Sequence, residues 1–503
     1  MVVPNENPAH ESGAARRRPS AANASKAGSL GGLQSVITFK NSQGEDARGT
    51  LLRLSRSAVI FEVYNPYSIV QLSEILQGLR IRRGERVIYD GRAVVHNLVN
   101  TGLLLIVSVT LIDPWQDLNQ LYGDGEGLRA EIDRFVGDWR GANILNDDYR
   151  LAVNNLRSFL GQLNRWLEQT DMVASADAAP AAGRHDDEFF VELARGLAAP
   201  LHERFEEFES AARNVDPEET VRYQSYSQND IHALVMPAPF MHRTFNKPLG
   251  YAGDYEMINM IYRNRPEGTN TYGRLIHYLF LQRPIALSVR NRSDQLLTML
   301  KAETARRAEQ TDQTTPINIL TVGCGPAFEI QRFLRASDLG NRCHFHLMDF
   351  SETTLDHAMQ RLGEVREETG VHPELTRIHE SIHQLLKDAT RVKTGTRGDQ
   401  FDIIYCAGLF DYLSDKVCGR VIRLFYRWLR PGGLVFVTNM RVGNEDRFTM
   451  EHLAEWHLIY RDEACMGSLV PGLGEQKMYT DETLLNLILE VRKPADLEAT
   501  DSP

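Results

Sequence analysis

The amino-acid sequence predicts three folded parts in succession: a small β-barrel, a helical region and an α/β unit on a mostly parallel sheet. Three observations carry this. Short β-branched runs separated by turn residues fill residues 32–114. Apolar residues then recur every three or four positions from about residue 147 to 309. From Pro316 onward, strand-like and helix-like runs alternate. The expected organisation is a tail over 1–31, the barrel over 32–114, helices over 115–310 with a linker near 172–184, and the α/β domain over 311–503.

Composition narrows the function. The chain has 503 residues, 42% hydrophobic and 24% charged, an ordinary balance that argues against a mostly disordered chain. A net charge of −11 argues against binding a nucleic-acid polymer. The longest apolar run, Leu103–Ile112, is about half of what a spanning helix needs, so no transmembrane segment is expected. The tail is rich in Ala, Ser, Asn, Pro and Arg and lacks an apolar stretch, so it reads as disordered and not as a secretory signal. Five cysteines without a Cys-x-x-Cys pair argue against a disulfide framework or structural zinc. The expected compartment is the cytoplasm.

In the barrel the expected strands are Ser35–Lys40, Gly49–Leu54, Ala58–Tyr64, Glu85–Tyr89, Ala93–Asn97 and Leu103–Ile112, with Asp90-Gly91 read as a turn. Val153, Leu156, Leu160, Leu163 and Leu167 form one helical stripe, and Phe190, Leu193, Leu197, Leu201, Phe205 and Phe208 form another. Between them the small-residue segment Met172–Arg184 reads as the linker. In the α/β part, Ile317–Val322, His344–Met348, Leu375–Ile378, Phe401–Cys406 and Leu434–Asn439 are the expected strands. Ser351 is placed to cap the helix that follows Asp349.

The chemistry concentrates at the carboxyl ends of those strands, where α/β sheets bind ligands. Gly323-Cys324-Gly325 joins a strand to a helix, and glycines there allow a tight turn and close approach to a ligand. Asp349, closing the second strand, can accept hydrogen bonds from ribose hydroxyls. A dinucleotide site prefers a third glycine, where Phe328 stands, and a nucleoside ligand without phosphate does not need it.

On these residues the sequence resembles the Rossmann-like class I S-adenosylmethionine-dependent methyltransferases. The matching motifs are Val322-Gly323-Cys324-Gly325-Pro326, Asp349-Phe350, Phe401-Asp402-Ile403-Ile404-Tyr405-Cys406 and Leu429-Arg430-Pro431-Gly432-Gly433, within about 318–494. The resemblance implies S-adenosyl-L-methionine as cofactor. It implies Gly323 and Gly325 against the methionine part, with Cys324 between them in the cofactor site, Asp349 on the ribose and Phe350 beside the adenine. Glu380 and Ser381 would lie near the adenine amino group, and Cys406, Ala407 and Gly408 beside the sulfonium. Such enzymes often carry an acid two positions before the first glycine. Here that position is Thr321, and Glu329 is the candidate to replace it.

A narrower resemblance covers about 189–494. Asn246-Lys247-Pro248-Leu249-Gly250-Tyr251-Ala252-Gly253-Asp254-Tyr255 and Trp456-His457-Leu458-Ile459-Tyr460-Arg461 are similar to blocks in bacterial 3-hydroxypalmitic acid methyl ester biosynthesis proteins. That implies a small or lipid-like acceptor, with a fatty-acid carboxylate becoming a methyl ester. A carboxylate needs alignment, exclusion of water and a neutralising cation, for which His242, Arg243, Lys247, Arg290 and Arg292 are candidates. A hydroxyl acceptor needs a base, for which His242, Asp254 or His277 could serve. The expected catalytic residues are His242, Tyr251, Asp254 and Arg290. The plain alternative for Asp254 is a helix cap before Tyr255.

No metal is expected. His379-Glu380-Ser381-Ile382-His383 fits H-E-x-x-H, but that chemistry needs both histidines on one helical turn, and His379 directly follows a strand. The N-terminal part resembles a PilZ barrel, the module that binds cyclic di-GMP in many bacterial proteins, through Arg48-Gly49-Thr50-Leu51-Leu52-Arg53-Leu54-Ser55 and Ala58–Tyr64. Of that family's Asp/Asn-x-Ser-x-x-Gly only Ser55 fits, so the reading favours a docking or homodimerisation module over a cyclic di-GMP site, with Arg53 and Arg56 as anion candidates. The expectation is a signalling-type methyltransferase. Its alternatives are a protein or other small-molecule methyltransferase, and a cofactor-binding signalling module without turnover.

Overall fold

The computed structural model describes residues 35–41, 44, 46–54, 58–63, 70–83, 86–100, 105–115, 129, 132, 133, 136, 137, 145–176, 183–216, 219–382, 384–386 and 401–495. The expected tail, Ser55, Arg56 and His383 lie outside them.

Strands β1 (Ser35–Lys40), β2 (Asp46–Leu54), β3 (Ala58–Val63), β4 (Ile75–Arg83), β5 (Arg86–Asn100) and β6 (Leu105–Leu111) close an antiparallel barrel in the order β1-β2-β3-β6-β5-β4. Alternation sends Ile37, Phe39, Val59, Phe61, Leu79, Ile81, Val107 and Val109 inward. Two expectations are corrected. Strand β4 was not expected, because its arginines and Gly78, at φ +52° beside a register shift, interrupt the apolar pattern. The Asp90-Gly91 pair lies inside β5 and is not a turn. Arg80 on β4 binds Asp90 at 2.7 Å, and a Cβ on Gly91 would lie 2.7 Å from that of Asp113, so the glycine serves close packing.

Helices α1 (Asp147–Ala176), α2 (Gly183–Ala212), α3 (Thr220–Val235), α4 (Pro239–Asn246), α5 (Tyr255–Arg263), α6 (Thr271–Leu281) and α7 (Pro284–Gln310) follow. Both apolar stripes are buried in one core that also takes in Leu453 and Trp456 from the far end of the chain. The segment expected as a linker overlaps helix at both of its ends, Met172–Ala176 in α1 and Gly183–Arg184 in α2. Alanine favours helix as much as flexibility, and α1 continues through Ala176.

The C-terminal part comprises β7 (Ile317–Val322), α8 (Phe328–Ala336), β8 (Cys343–Asp349), α9 (Glu352–Thr369), β9 (Glu374–His379), β10 (Phe401–Cys406), α10 (Asp415–Trp428), β11 (Leu429–Met440), α11 (Arg447–Leu453), α12 (Glu463–Ser468), β12 (Glu475–Thr480) and β13 (Asn486–Arg492). The sheet runs β12-β13-β11-β10-β7-β8-β9. Strands β7 to β11 are parallel, and β12 and β13 form an antiparallel edge. The chain leaves β7 in one direction toward β9 and resumes beside it at β10, so a topological switch point lies between β7 and β10. Among the described residues no helix is long and apolar enough to cross a membrane.

The Asp402 and Arg430 motifs prove to be a brace. Asp402 is 2% exposed and accepts from Arg307 Nε at 2.9 Å, Arg430 Nη1 at 3.0 Å and the Asn318 amide at 2.8 Å. One carboxylate thereby ties α7, β7, β10 and β11 together behind the pocket.

Candidate functional site

A pocket opens beyond the carboxyl ends of β7, β8, β9 and β10. Gly323 lies at φ +67°, a conformation open to glycine, and its amide and that of Cys324 donate to the Met348 carbonyl at 2.9 and 3.1 Å. This bond draws the turn onto the end of β8, where Asp349 closes the strand. Asp349 Oδ1 accepts from the Ser351 amide at 2.9 Å and Oδ2 from that of Gly325 at 3.3 Å, leaving acceptor capacity on both oxygens. Burial raises its pKa to about 6, against the lowering effect of those amides. Ser351 caps α9 by accepting from the Thr354 amide, as expected.

Of the expected cofactor residues, Gly323, Cys324, Gly325, Asp349, Phe350, Glu380, Ser381, Ala407 and Gly408 all line this pocket. Cys406 does not, because its side chain is wholly buried in the core beneath. His379 of the H-E-x-x-H match ends β9 and contacts the Phe350 carbonyl at 2.9 Å, while Glu380 lines the pocket. Among the described residues no group of three or more ligands could hold a metal ion.

The catalytic expectations divide. Tyr251 lines the pocket, its ring 4.8 Å from that of Phe350. His242, Asp254 and Arg290 lie outside the lining. His242 is exposed on α4. Asp254 is the cap of α5, and its carboxylate is occupied by the Glu256 and Met257 amides and by Arg243 Nε at 2.8 and 3.0 Å. Arg290 donates to the Leu281 carbonyl at 2.8 Å. Two other candidates are buried elsewhere. Lys247 Nζ donates to the Ala454 carbonyl at 3.2 Å, and burial lowers its pKa to about 8. His277 accepts from the Phe240 amide at 3.1 Å.

Arg292 is the only cationic residue among the described lining. It reaches in from α7, and a Cβ on Gly408 would lie 2.8 Å from its Nη1, so the glycine makes room for the guanidinium. Two buried acids line the same pocket and feel the Arg292 charge. Glu329 accepts from the Tyr405 hydroxyl at 2.7 Å, and burial raises its pKa. Asp411 accepts from the Met440 amide at 2.5 Å, and burial raises its pKa too. The Thr321 position is thus beside Tyr405 on the floor, with the acid supplied from α8.

The rest of the lining is mostly apolar and includes Leu72, Ile258, Tyr262, Val289, Met440, Trp456 and Leu458. Trp456 Nε1 donates to the Tyr412 hydroxyl at 2.8 Å. The loop after β10 is held by the wholly buried Arg461, which donates to the carbonyls of Phe410 and Leu413 and to Asp415. Sequence reasoning quoted Arg461 within a motif but did not find this role, which depends on contacts about fifty residues away.

Two family models match the chain, one described as "Methyltransferase domain" over residues 320–435 and one as "Putative methyltransferase" over 249–372. No curated protein matches. Similar solved structures include a "possible exported protein" from Bordetella parapertussis, at 18% identity over 51% of this chain and 86% of that one, TM-score 0.39. They also include the magnesium protoporphyrin IX methyltransferase of Synechocystis PCC 6803 with bound SAH, at 12% identity over 47% and 93%, TM-score 0.32. The N-methyltransferase NodS of Bradyrhizobium japonicum WM9 with S-adenosyl-L-homocysteine is similar at 16% over 42% and 89%, TM-score 0.27. The chain carries a methyltransferase domain, and it is an enzyme of that class.

Proposed function

We propose that the protein transfers a methyl group from S-adenosylmethionine to the carboxylate of a small, lipid-like acceptor, giving a methyl ester. The cofactor is S-adenosylmethionine. One observation carries the reading: nine of the ten residues expected at the cofactor line one pocket at the ends of parallel strands.

The residues fit that group. Asp349 has acceptor capacity for ribose hydroxyls, and Phe350 offers an aromatic face to the adenine. Glu329 and Asp411 are buried acids of the lining, and an ammonium or sulfonium placed against them would favour their ionised forms. A dinucleotide would bring two phosphates to a described lining with a single arginine. When bound, the cofactor supplies an electrophilic methyl group on positively charged sulfur.

The chain's own residues do the rest. The apolar side chains of Ile258, Trp456 and Leu458 exclude water and suit a hydrocarbon body. Arg292 neutralises a carboxylate brought beside Gly408. A carboxylate is already nucleophilic at neutral pH, so alignment is the main requirement and no base is needed.

Calorimetric titration with S-adenosylhomocysteine, beside NAD and cyclic di-GMP, tests the cofactor. Saturable binding of the first alone is expected, and its absence would sink the reading. The acceptor is tested with labelled methyl donor and 3-hydroxy fatty acids. An ester product releases its label as methanol on mild base treatment, whereas a methyl ether or amine retains it.

A further inference from the structure

We infer that the barrel supplies ligand-binding residues to the methyltransferase pocket: Gln71 and Leu72 form part of its wall, and the seating of their turn sets how long a ligand is held. The inference rests on the cofactor reading above.

Three observations support it. First, Gln71 and Leu72 line the same pocket as Gly323 and Asp349, although they precede β4 of the barrel. The cofactor positions come from strand ends of the sheet, and these two residues sit in the turn that leads into a strand of the separate barrel sheet. Second, the turn is seated on both sides. Ser73 Oγ accepts from the His457 amide and donates to the His457 carbonyl, between the lining residues Trp456 and Leu458. The Ile75 amide donates to the Gly250 carbonyl at 2.7 Å, beside the lining residue Tyr251. Third, the turn has a fixed shape. Ser73 lies at φ +60°, a costly conformation for a residue with a Cβ, and is wholly buried. Glu74 accepts from the Gln71 amide at 2.7 Å, while the Ser73 amide and the Glu74 carbonyl pair with Val95 of β5.

The turn therefore connects the barrel wall to the pocket without a flexible joint. Gln71 and Leu72 cannot move away from a bound ligand unless the bonds of Ser73 and Ile75 open or the barrel shifts. The chemistry of the wall, one apolar side chain beside one amide, suits an amphipathic ligand and offers no charge to a phosphate.

The test measures the dissociation rate of S-adenosylhomocysteine from the full chain, by stopped-flow displacement read through tryptophan emission, since Trp456 lines the pocket. The variants are Leu72→Ala, Gln71→Ala and Ser73→Ala, with Lys40→Ala on the exposed barrel surface as control. The expected result is dissociation about tenfold faster or more in Leu72→Ala and Ser73→Ala, with Lys40→Ala unchanged. Circular dichroism confirms that each variant is folded, and Gln71→Ala, at a half-buried site, guards against loss of the others. Rates within twofold of the unaltered chain in every folded variant would overturn the inference while leaving the cofactor reading intact. Failure of the unaltered chain to bind the ligand would overturn both.

Discussion

The Tyr405 hydroxyl donates to Glu329 Oε1 across 2.7 Å, joining the fourth parallel strand to the first turn of α8 on the pocket floor. Both groups are buried, and Glu329 faces the ligand side where Thr321 leaves no acid. Desolvation raises the glutamate's pKa, so a cation placed against it favours the ionised form.

Glu329→Gln keeps the shape and removes that charge. S-adenosylhomocysteine is expected to bind roughly 10- to 100-fold more weakly, the range for losing a hydrogen bond to a charged group. Calorimetry checks this, and Tyr405→Phe is expected to lose less, because the carboxylate remains. Equal affinity in Glu329→Gln would remove the glutamate from the site.

Asp349 predicts a pH dependence. Its pKa near 6 is above that of a free aspartate, so the folded chain without ligand retains a proton there that the unfolded chain has lost. Ribose hydroxyls donate to the ionised form. Affinity for S-adenosylhomocysteine is therefore expected to fall as pH drops through about 6, with proton release on binding near that pH, seen as a binding enthalpy that depends on the buffer. In Asp349→Asn the affinity is expected to be low and flat across this range.

Asp402→Ala is expected to destabilise the fold by about 3–5 kcal/mol, because it leaves the nearly buried Arg307 without its carboxylate. Urea unfolding measures this. The folded fraction is expected to retain S-adenosylhomocysteine binding, since Asp402 lies outside the pocket lining. A loss below about 1 kcal/mol would mean that the Pro431 carbonyl and the Gln310 side chain hold the arginine adequately.

His96 of the barrel and His457 face each other with ring centroids 6.3 Å apart, and His457 Nε2 is buried without a hydrogen-bond partner among the described residues. Burial lowers His96 to about 4 and His457 well below its usual value. The unfolded chain binds these protons first, so stability is lost as pH falls below about 6.5 toward 4. Nearby Lys247 and His452 add to the repulsion once a proton arrives. His96→Phe is expected to flatten the fall in melting temperature between pH 6.5 and 5; an unchanged slope would count against this pair.

Much of the site was legible because it is local in the chain. A strand, Gly323-Cys324-Gly325 and a helix make a turn whose backbone must approach a ligand, whatever packs around it. Asp349 was legible because an acid closing a parallel strand stands at the ligand edge. Asp254 was ambiguous for the same reason: a short-range cap and a catalytic acid look alike in sequence, and the cap proved to be the role with partners. Strand β4 was hidden because arginines on its outer face and a bulge at Gly78 break the alternation that marks a strand.

The sequence by itself determined the three-part order of the fold, the parallel sheet and the residues at its strand ends, because periodicity and turn chemistry act over a few residues. Only the tertiary structure decided which distant side chains complete the pocket. Arg292 enters from a helix preceding the sheet, Trp456 follows α11, and Gln71 and Leu72 come from the barrel. Their positions follow from how separate hydrophobic surfaces pack and how buried polar groups find partners. Those long-range matches leave no fixed spacing in the chain.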